Sequence, residues 1–163
     1  YDYVCVSRTI PKEYERLTEN AQSITDNRGN KIELTKINVE DKPDNFLHVK
    51  SEKKELKEKS IDEKLTKRLE LQLQDIKDKL DKPRAVKKIE KVHEKVGRIK
   101  AKLSKIGWLY DIKYTENKKK GIITDITWKR IEERERPKGE YFLRYTKTAV
   151  SEDDIWDVYN LTR

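Results

Sequence analysis

The sequence predicts an α+β protein, a β-rich body interrupted by a protruding antiparallel helical hairpin. Three observations predict it. The apolar period changes from 2 to 3.6 near Glu52 and returns to 2 after Gly107. The run Asp26-Asn27-Arg28-Gly29-Asn30 is a strong turn signal between two alternating segments. Lys82-Pro83 splits the long 3.6-period stretch into two stripes, because proline lacks the amide a helix interior needs.

The elements follow in order. Residues 1–8 read as a strand with both faces apolar, as in the middle of a sheet, and Ile10-Pro11 ends it. Cys5, the single cysteine, reads as a small buried hydrophobe, in keeping with a reducing, cytoplasmic setting. Residues 22–25 and 31–40 form a β-hairpin about the turn. Ile32 and Leu34 share one parity while Ile37 and Val39 share the other, which suggests a bulge between them. Lys42-Pro43-Asp44 is a turn, and residues 46–50 are a third strand.

From about residue 52, Ile61, Leu65, Leu69, Ile76 and Leu80 make one helical stripe, with Leu73 beside it. Val86, Ile89, Val96, Ile99, Leu103 and Ile106 make a second, stopped by Gly107. Each stripe is narrow, so the hairpin of about residues 52–106 is expected to zip on itself. Trp108, Tyr110, Ile112 and Tyr114 then alternate on one face of a strand. Residues 117–121 turn, and Ile122, Ile126 and Trp128 line one face of the next strand. Arg136-Pro137-Lys138-Gly139 turns into a strand over residues 140–146. Ser151 with Asp154 is a variant of the capping box, opening a final helix with acids on its positive end.

Of the 163 residues, 43% are charged and 34% apolar, a thin core for the length. The net charge of +8 favours a polyanionic partner, nucleic acid before an acidic membrane surface. No segment is long and apolar enough to span a membrane, and no signal-peptide pattern is present. There is no Met, and the chain opens inside a strand pattern and ends inside a helix pattern, so it is expected to be a piece of a longer protein. His48 and His93 stand alone, without a His or Cys partner at ligand spacing. Asp153, Asp154 and Asp157 read as helix-dipole partners rather than as metal ligands. There is neither a glycine-rich phosphate loop nor a nucleophile elbow.

Basic residues concentrate between Lys79 and Lys105, where eleven stand against three acids. Among them Lys87, Lys88, Lys91, Lys95 and Arg98 form the best candidate for sequence-independent phosphate contact; the plain alternative is a solvated helix face.

The chain's last strand and helix, Gly139-Glu140-Tyr141-Phe142-Leu143-Arg144-Tyr145-Thr146 and Ser151 to Arg163, resemble transposases of bacterial insertion sequences, specifically the insertion-sequence-four group of the DDE class. Tyr1-Asp2-Tyr3-Val4-Cys5-Val6-Ser7-Arg8 and Lys91-Val92-His93-Glu94-Lys95-Val96-Gly97-Arg98 also resemble stretches of that family. The resemblance implies that residues 1–8 are the last strand of an RNase H-like core. It implies that residues 9–138 are an insertion subdomain, and that residues 139–163 are a strand and the start of the helix bearing the third catalytic carboxylate. That Glu would fall three residues past Arg163, so no catalytic residue is expected within the chain, which alone should be inactive. Tyr159 and Arg163 match the helix motif's Tyr and Arg and are implied to grip DNA, although the commoner spacing would put the Arg at Thr162.

The family's three carboxylates hold two metal ions for phosphodiester displacement, so Mg2+ or Mn2+ is implied for the full-length parent and none for this stretch. DNA, including transposon ends, is the implied partner, with a homodimer of the full-length protein and no membrane. Without the resemblance, Tyr159 reads as a packed amphipathic aromatic and Arg163 as a solvated end. The rival reading of the whole chain is a basic adaptor that binds nucleic acid or protein without catalysis.

Overall fold

The computed structural model describes residues 2–146 and 150–161. It is mixed α+β, with antiparallel sheets. Two units cluster separately, Tyr1–Glu58 with Pro137–Arg163, and Lys59–Arg136.

In the first unit, strands β1 (Val4–Val6), β2 (Glu15–Arg16), β3 (Gln22–Thr25), β4 (Lys31–Asn38) and β5 (Asn45–Ser51) are joined by β8 (Glu140–Tyr145), numbered in chain order. The sheet order is β1-β8-β5-β4-β2, with β3 also on β4, and every pairing is antiparallel. The β3–β4 turn forms as its sequence predicts. Asp26 Oδ1 accepts bonds from the amides of Arg28 (2.8 Å) and Asn30 (2.9 Å). The Asn30 side chain, then its amide, holds the Asp26 carboxyl below its ordinary pKa.

The parity switch in β4 has a different cause from the bulge it suggests. The β4–β5 register runs unbroken from Ile32↔Ser51 to Ile37↔Phe46. Both faces of the sheet are covered instead. Ile32, Leu34, Leu47, Val49, Leu143 and Tyr145 lie on one face, against Ile155, Trp156 and Tyr159 of helix α4 (Glu152–Leu161). Ile37, Val39, Phe46 and Phe142 form a smaller cluster on the other, with Tyr14 against it. A second correction concerns residues 1–8. Of these, Val4–Val6 form a short strand at the end of the strand order, not a central one, and Val6 is 46% exposed. Cys5 is half-buried rather than buried. α4 is capped as predicted: the Ser151 hydroxyl donates to Asp154 Oδ2 (2.8 Å), and the Asp154 amide donates to Ser151 Oγ (3.2 Å).

Chain departure and return are pinned at Gly139. Its carbonyl accepts from the Ser51 amide (2.9 Å) and its own amide donates to Glu58 Oε2 (2.7 Å). Its φ is +79°, and a Cβ there would lie 2.6 Å from Glu55 Cβ and 2.9 Å from the Ser51 carbonyl oxygen. Only glycine meets both conditions.

The second unit holds most of helix α1 (Glu52–Lys79), which begins in the first. It also holds α2 (Ile89–Lys102), α3 (Ser104–Gly107) and the ribbon β6 (Tyr110–Asn117) with β7 (Ile122–Arg130). The helices do not zip only on each other. Leu69, Leu73 and Ile76 of α1 and Val92, Val96 and Ile99 of α2 share one core with Tyr110, Ile123 and Ile126 of the ribbon. The bulge missing from β4 occurs here. Thr115 pairs with Asp125 but Glu116 pairs with Ile123, which leaves Thr124 looped out, its hydroxyl on the Thr115 carbonyl (3.1 Å). This brings Ile123, rather than the expected Ile122, onto the face of Ile126.

Two further expectations fail. Trp108 precedes the strand and is 42% exposed, and Val86 is 55% exposed. Val86 lies before α2, because residues 87–88 run beside β7: the Ile123 amide bonds the Lys87 carbonyl (2.8 Å) and Lys88 bridges Ile122. Gly107 closes α3 where a Cβ would sit 2.5 Å from the Lys100 carbonyl oxygen.

Arg130 ties β7 to α1 through Asp62 (2.6 Å) and Thr66 (2.8 Å), and also binds Glu135 (2.6 Å). Burial opposes its charge, yet Asp62 and Glu135 hold its pKa above the ordinary value. The buried Tyr110 hydroxyl donates to Glu70 (2.7 Å). Burial first, then this bond, pushes the phenol up to about 12.

Two outcomes are expected. Gly139→Ala should lower stability by about 2–3 kcal/mol, read by urea titration, from the left-handed backbone and the Ser51 contact. Tyr110 is favoured neutral in the folded state, so its contribution is complete below the free tyrosine pKa of 10.0 and is lost as pH rises through about 12. A spectrophotometric titration should show this late phenol, and Tyr110→Phe should remove it.

Candidate nucleic-acid interface

The apolar stripe of α2 decides which basic residues face water. Val92, Val96 and Ile99 are buried, so Lys91, Lys95 and Arg98 fall on the adjacent stripe, spaced four and three residues apart, and all three are exposed. Over α2 this stripe covers about 10 Å at 1.5 Å per residue. Lys87 and Lys88 are not on the helix. They lie in the extended segment beside β7, Lys88 exposed and Lys87 half-buried. Four of the five predicted contacts are therefore at the surface, on two kinds of backbone.

Not every cation in this stretch is available. Glu94 is shared by Lys91 (3.4 Å) and Arg98 (2.5 Å). Lys79 pairs with Asp75 (2.7 Å), and Lys100 bonds the Tyr110 carbonyl (3.0 Å). Among the described residues Lys88, Lys95, Lys102 and Lys105 have no carboxylate partner. The sequence count overstates the free charge by these internal pairs, and the remaining cations are spread over the segment before α2, α2 itself and α3.

Tyr159 is in the first unit's core. It is 8% exposed, with ring centroids 5.8 Å from Trp156 and 6.2 Å from Tyr141. Arg163, and Thr162 at the commoner spacing, lie outside the described residues. Tyr159 belongs to the first unit and the α2 lysines to the second.

The two histidines are separately placed. His48 is 5% exposed, with Nε2 3.1 Å from Glu140 Oε2 but not aligned for a hydrogen bond. His93 stacks on Tyr114 at 4.2 Å, 3.6 Å from Glu116. Among the described residues no group of three His, Cys, Asp or Glu is arranged to hold a metal ion. No helix among them is long and apolar enough to cross a membrane.

Sequence reasoning missed the cavity at the start of α2, of about 220 Å³, where Lys79, Arg84 and Lys95 meet Ile76, Val86 and Val92. The signal that could have found it is Pro83-Arg84 just before the basic second helix. That Arg84 adopts a positive φ is not readable from its residue type. Comparison with protein-family models, with curated proteins and with solved structures finds no match for this chain.

The burial of Tyr159 sets a test. Tyr159→Ala should cost about 3–4 kcal/mol by loss of a packed ring, measured by denaturant titration. Tyr159→Phe should cost about 1 kcal/mol or less.

Proposed function

We propose that the chain is a DNA-binding part of a DDE transposase, supplying phosphate contacts and scaffold. The observation that carries DNA binding is the distribution of charge. Lys59–Arg136 holds twenty-four Lys and Arg against fourteen Asp and Glu, whereas the other unit holds fifteen against seventeen. The whole positive excess therefore lies in the unit that carries α2. A stripe of mobile cations on a rigid helix meets phosphates by displacing their counterions and reads no bases.

The transposase frame rests on the sequence resemblance. It is supported by the order strand, excursion, strand, helix, with β1 and β8 adjacent in one sheet and α4 following β8. When bound, Mg2+ or Mn2+ would activate the attacking oxygen and stabilise the leaving one in the parent reaction. In this reading the stretch acts by binding and positioning DNA. A basic adaptor without catalysis would use the same α2 face. Strands bearing two Asp before this stretch, and a Glu with a Lys six residues beyond it, would decide for the transposase.

If about four to six phosphates are engaged, log affinity for duplex DNA should fall against log salt with a slope of about −4 to −5. Replacing Lys87, Lys88, Lys91 and Lys95 with Gln should flatten that slope by about 3. A variant with the wild-type slope would return this face to simple solvation.

A further inference from the structure

We propose that the cavity at the start of α2 is a phosphodiester site, taking one DNA backbone phosphate with its deoxyribose, and that Arg84 is its main ligand. This rests on the DNA-binding reading above and names a contact within it. The cavity is open, about 220 Å³, and suits a single sugar-phosphate. Three cations line it, Lys79, Arg84 and Lys95, and no carboxylate does. Lys79 is partly neutralised by Asp75 at 2.7 Å. That leaves Arg84 and Lys95, which have no carboxylate partner among the described residues, to receive an anion. Asp75, outside the lining, also lies within electrostatic range of Lys95, and its pKa is lowered first by the Lys79 hydrogen bond and then by the charges of Lys79, Lys95 and Lys82; Arg84 is not among the groups acting on it.

Arg84 has φ of +68°. The other non-glycine residue with positive φ is Asp41, at +60°, a residue type that tolerates this region. Arginine does not, and strain of about 1–3 kcal/mol is retained where the surrounding structure or a function requires it. Here the strained residue lines a cavity that lacks anionic groups. Stability alone would be served better by glycine at this position.

The rest of the lining identifies the ligand. Its accessible apolar surface is Val86, 55% exposed and without a core role, over the buried core residues Ile76 and Val92. A site for a bare inorganic anion has no use for that surface. The carbon face of a deoxyribose beside its phosphate matches it. Guanidinium and phosphate oxygens form paired, charge-assisted hydrogen bonds, and Lys95 adds a point charge.

The test is fluorescence anisotropy with a labelled duplex across a salt series, using the full chain. Arg84→Gln should weaken binding about tenfold at low salt and reduce the slope by about 0.9, one phosphate contact. Val86→Asn should weaken binding about threefold with the slope unchanged, because the sugar contact is apolar. Against inorganic polyphosphate, which has no sugar, Val86→Asn should bind as wild type. Arg84→Gly should lose affinity as Arg84→Gln does while its Tm stays level or rises, which separates a ligand role from a structural one. Wild-type affinity and slope for Arg84→Gln would overturn the site and leave the α2 reading standing. So would a Val86→Asn loss equal for DNA and polyphosphate. No duplex binding by the wild-type chain would overturn both.

Discussion

The first unit depends on one backbone meeting, at Gly139. There the chain re-enters the sheet with its carbonyl on the Ser51 amide and its amide on the Glu58 carboxylate, in a conformation and a space that admit no side chain. Lys54 reinforces it from α1, bonding both Glu58 and the Glu140 carbonyl. This meeting sets where β8 starts and hence its register between β1 and β5. The register in turn puts Leu143 and Tyr145 under α4 and Phe142 on the opposite face. A one-residue slip would exchange these faces and expose both sets.

The second unit solves a different problem with a similar economy. Two highly charged helices have too little apolar surface to stabilise each other, and a two-stranded ribbon is marginal on its own. Together they bury one continuous core, and Arg130 and Tyr110 satisfy their polar ends on α1. Burying only a narrow stripe of α2 leaves the rest of its circumference to lysines and arginines. The charge available for a polyanion is thus a direct result of how little of the helix the core needs.

What was legible in the sequence divides along the range of the interactions. The β3–β4 turn, the Ser151–Asp154 cap and most of the helix stripes, Val86 excepted, are local patterns, and they appear where the residues place them. The switch in β4 was visible in Ile32, Leu34, Ile37 and Val39, but its meaning was not. A bulge and a sheet covered on both faces give the same parity change, and only the partner strands distinguish them. The Thr124 bulge has no signature of its own, since Ile122 and Ile123 are equally apolar. The edge position of β1 is set by pairing with β8, far along the chain. For the candidate interface, Lys91, Lys95 and Arg98 were readable from helical spacing. Lys87 and Lys88 were assigned to a helix that the Ile123–Lys87 bond replaces with an extended segment. The backbone of Arg84 was not readable at all.

The pairing of β5 with β8 carries a consequence for how the chain assembles. Lys50 stands opposite Glu140, so everything between them is formally the loop of a single β-hairpin. Closing so long a loop costs only logarithmically more than a short one, but the search for its two ends is slow. The intervening helices and the β6–β7 ribbon pack on one another inside that loop, Glu70 meeting Tyr110 and Asp62 meeting Arg130. Their condensation shortens the loop the sheet must close. Completing the central sheet therefore requires residues on either side of the whole excursion to meet, the most non-local pairing in the topology.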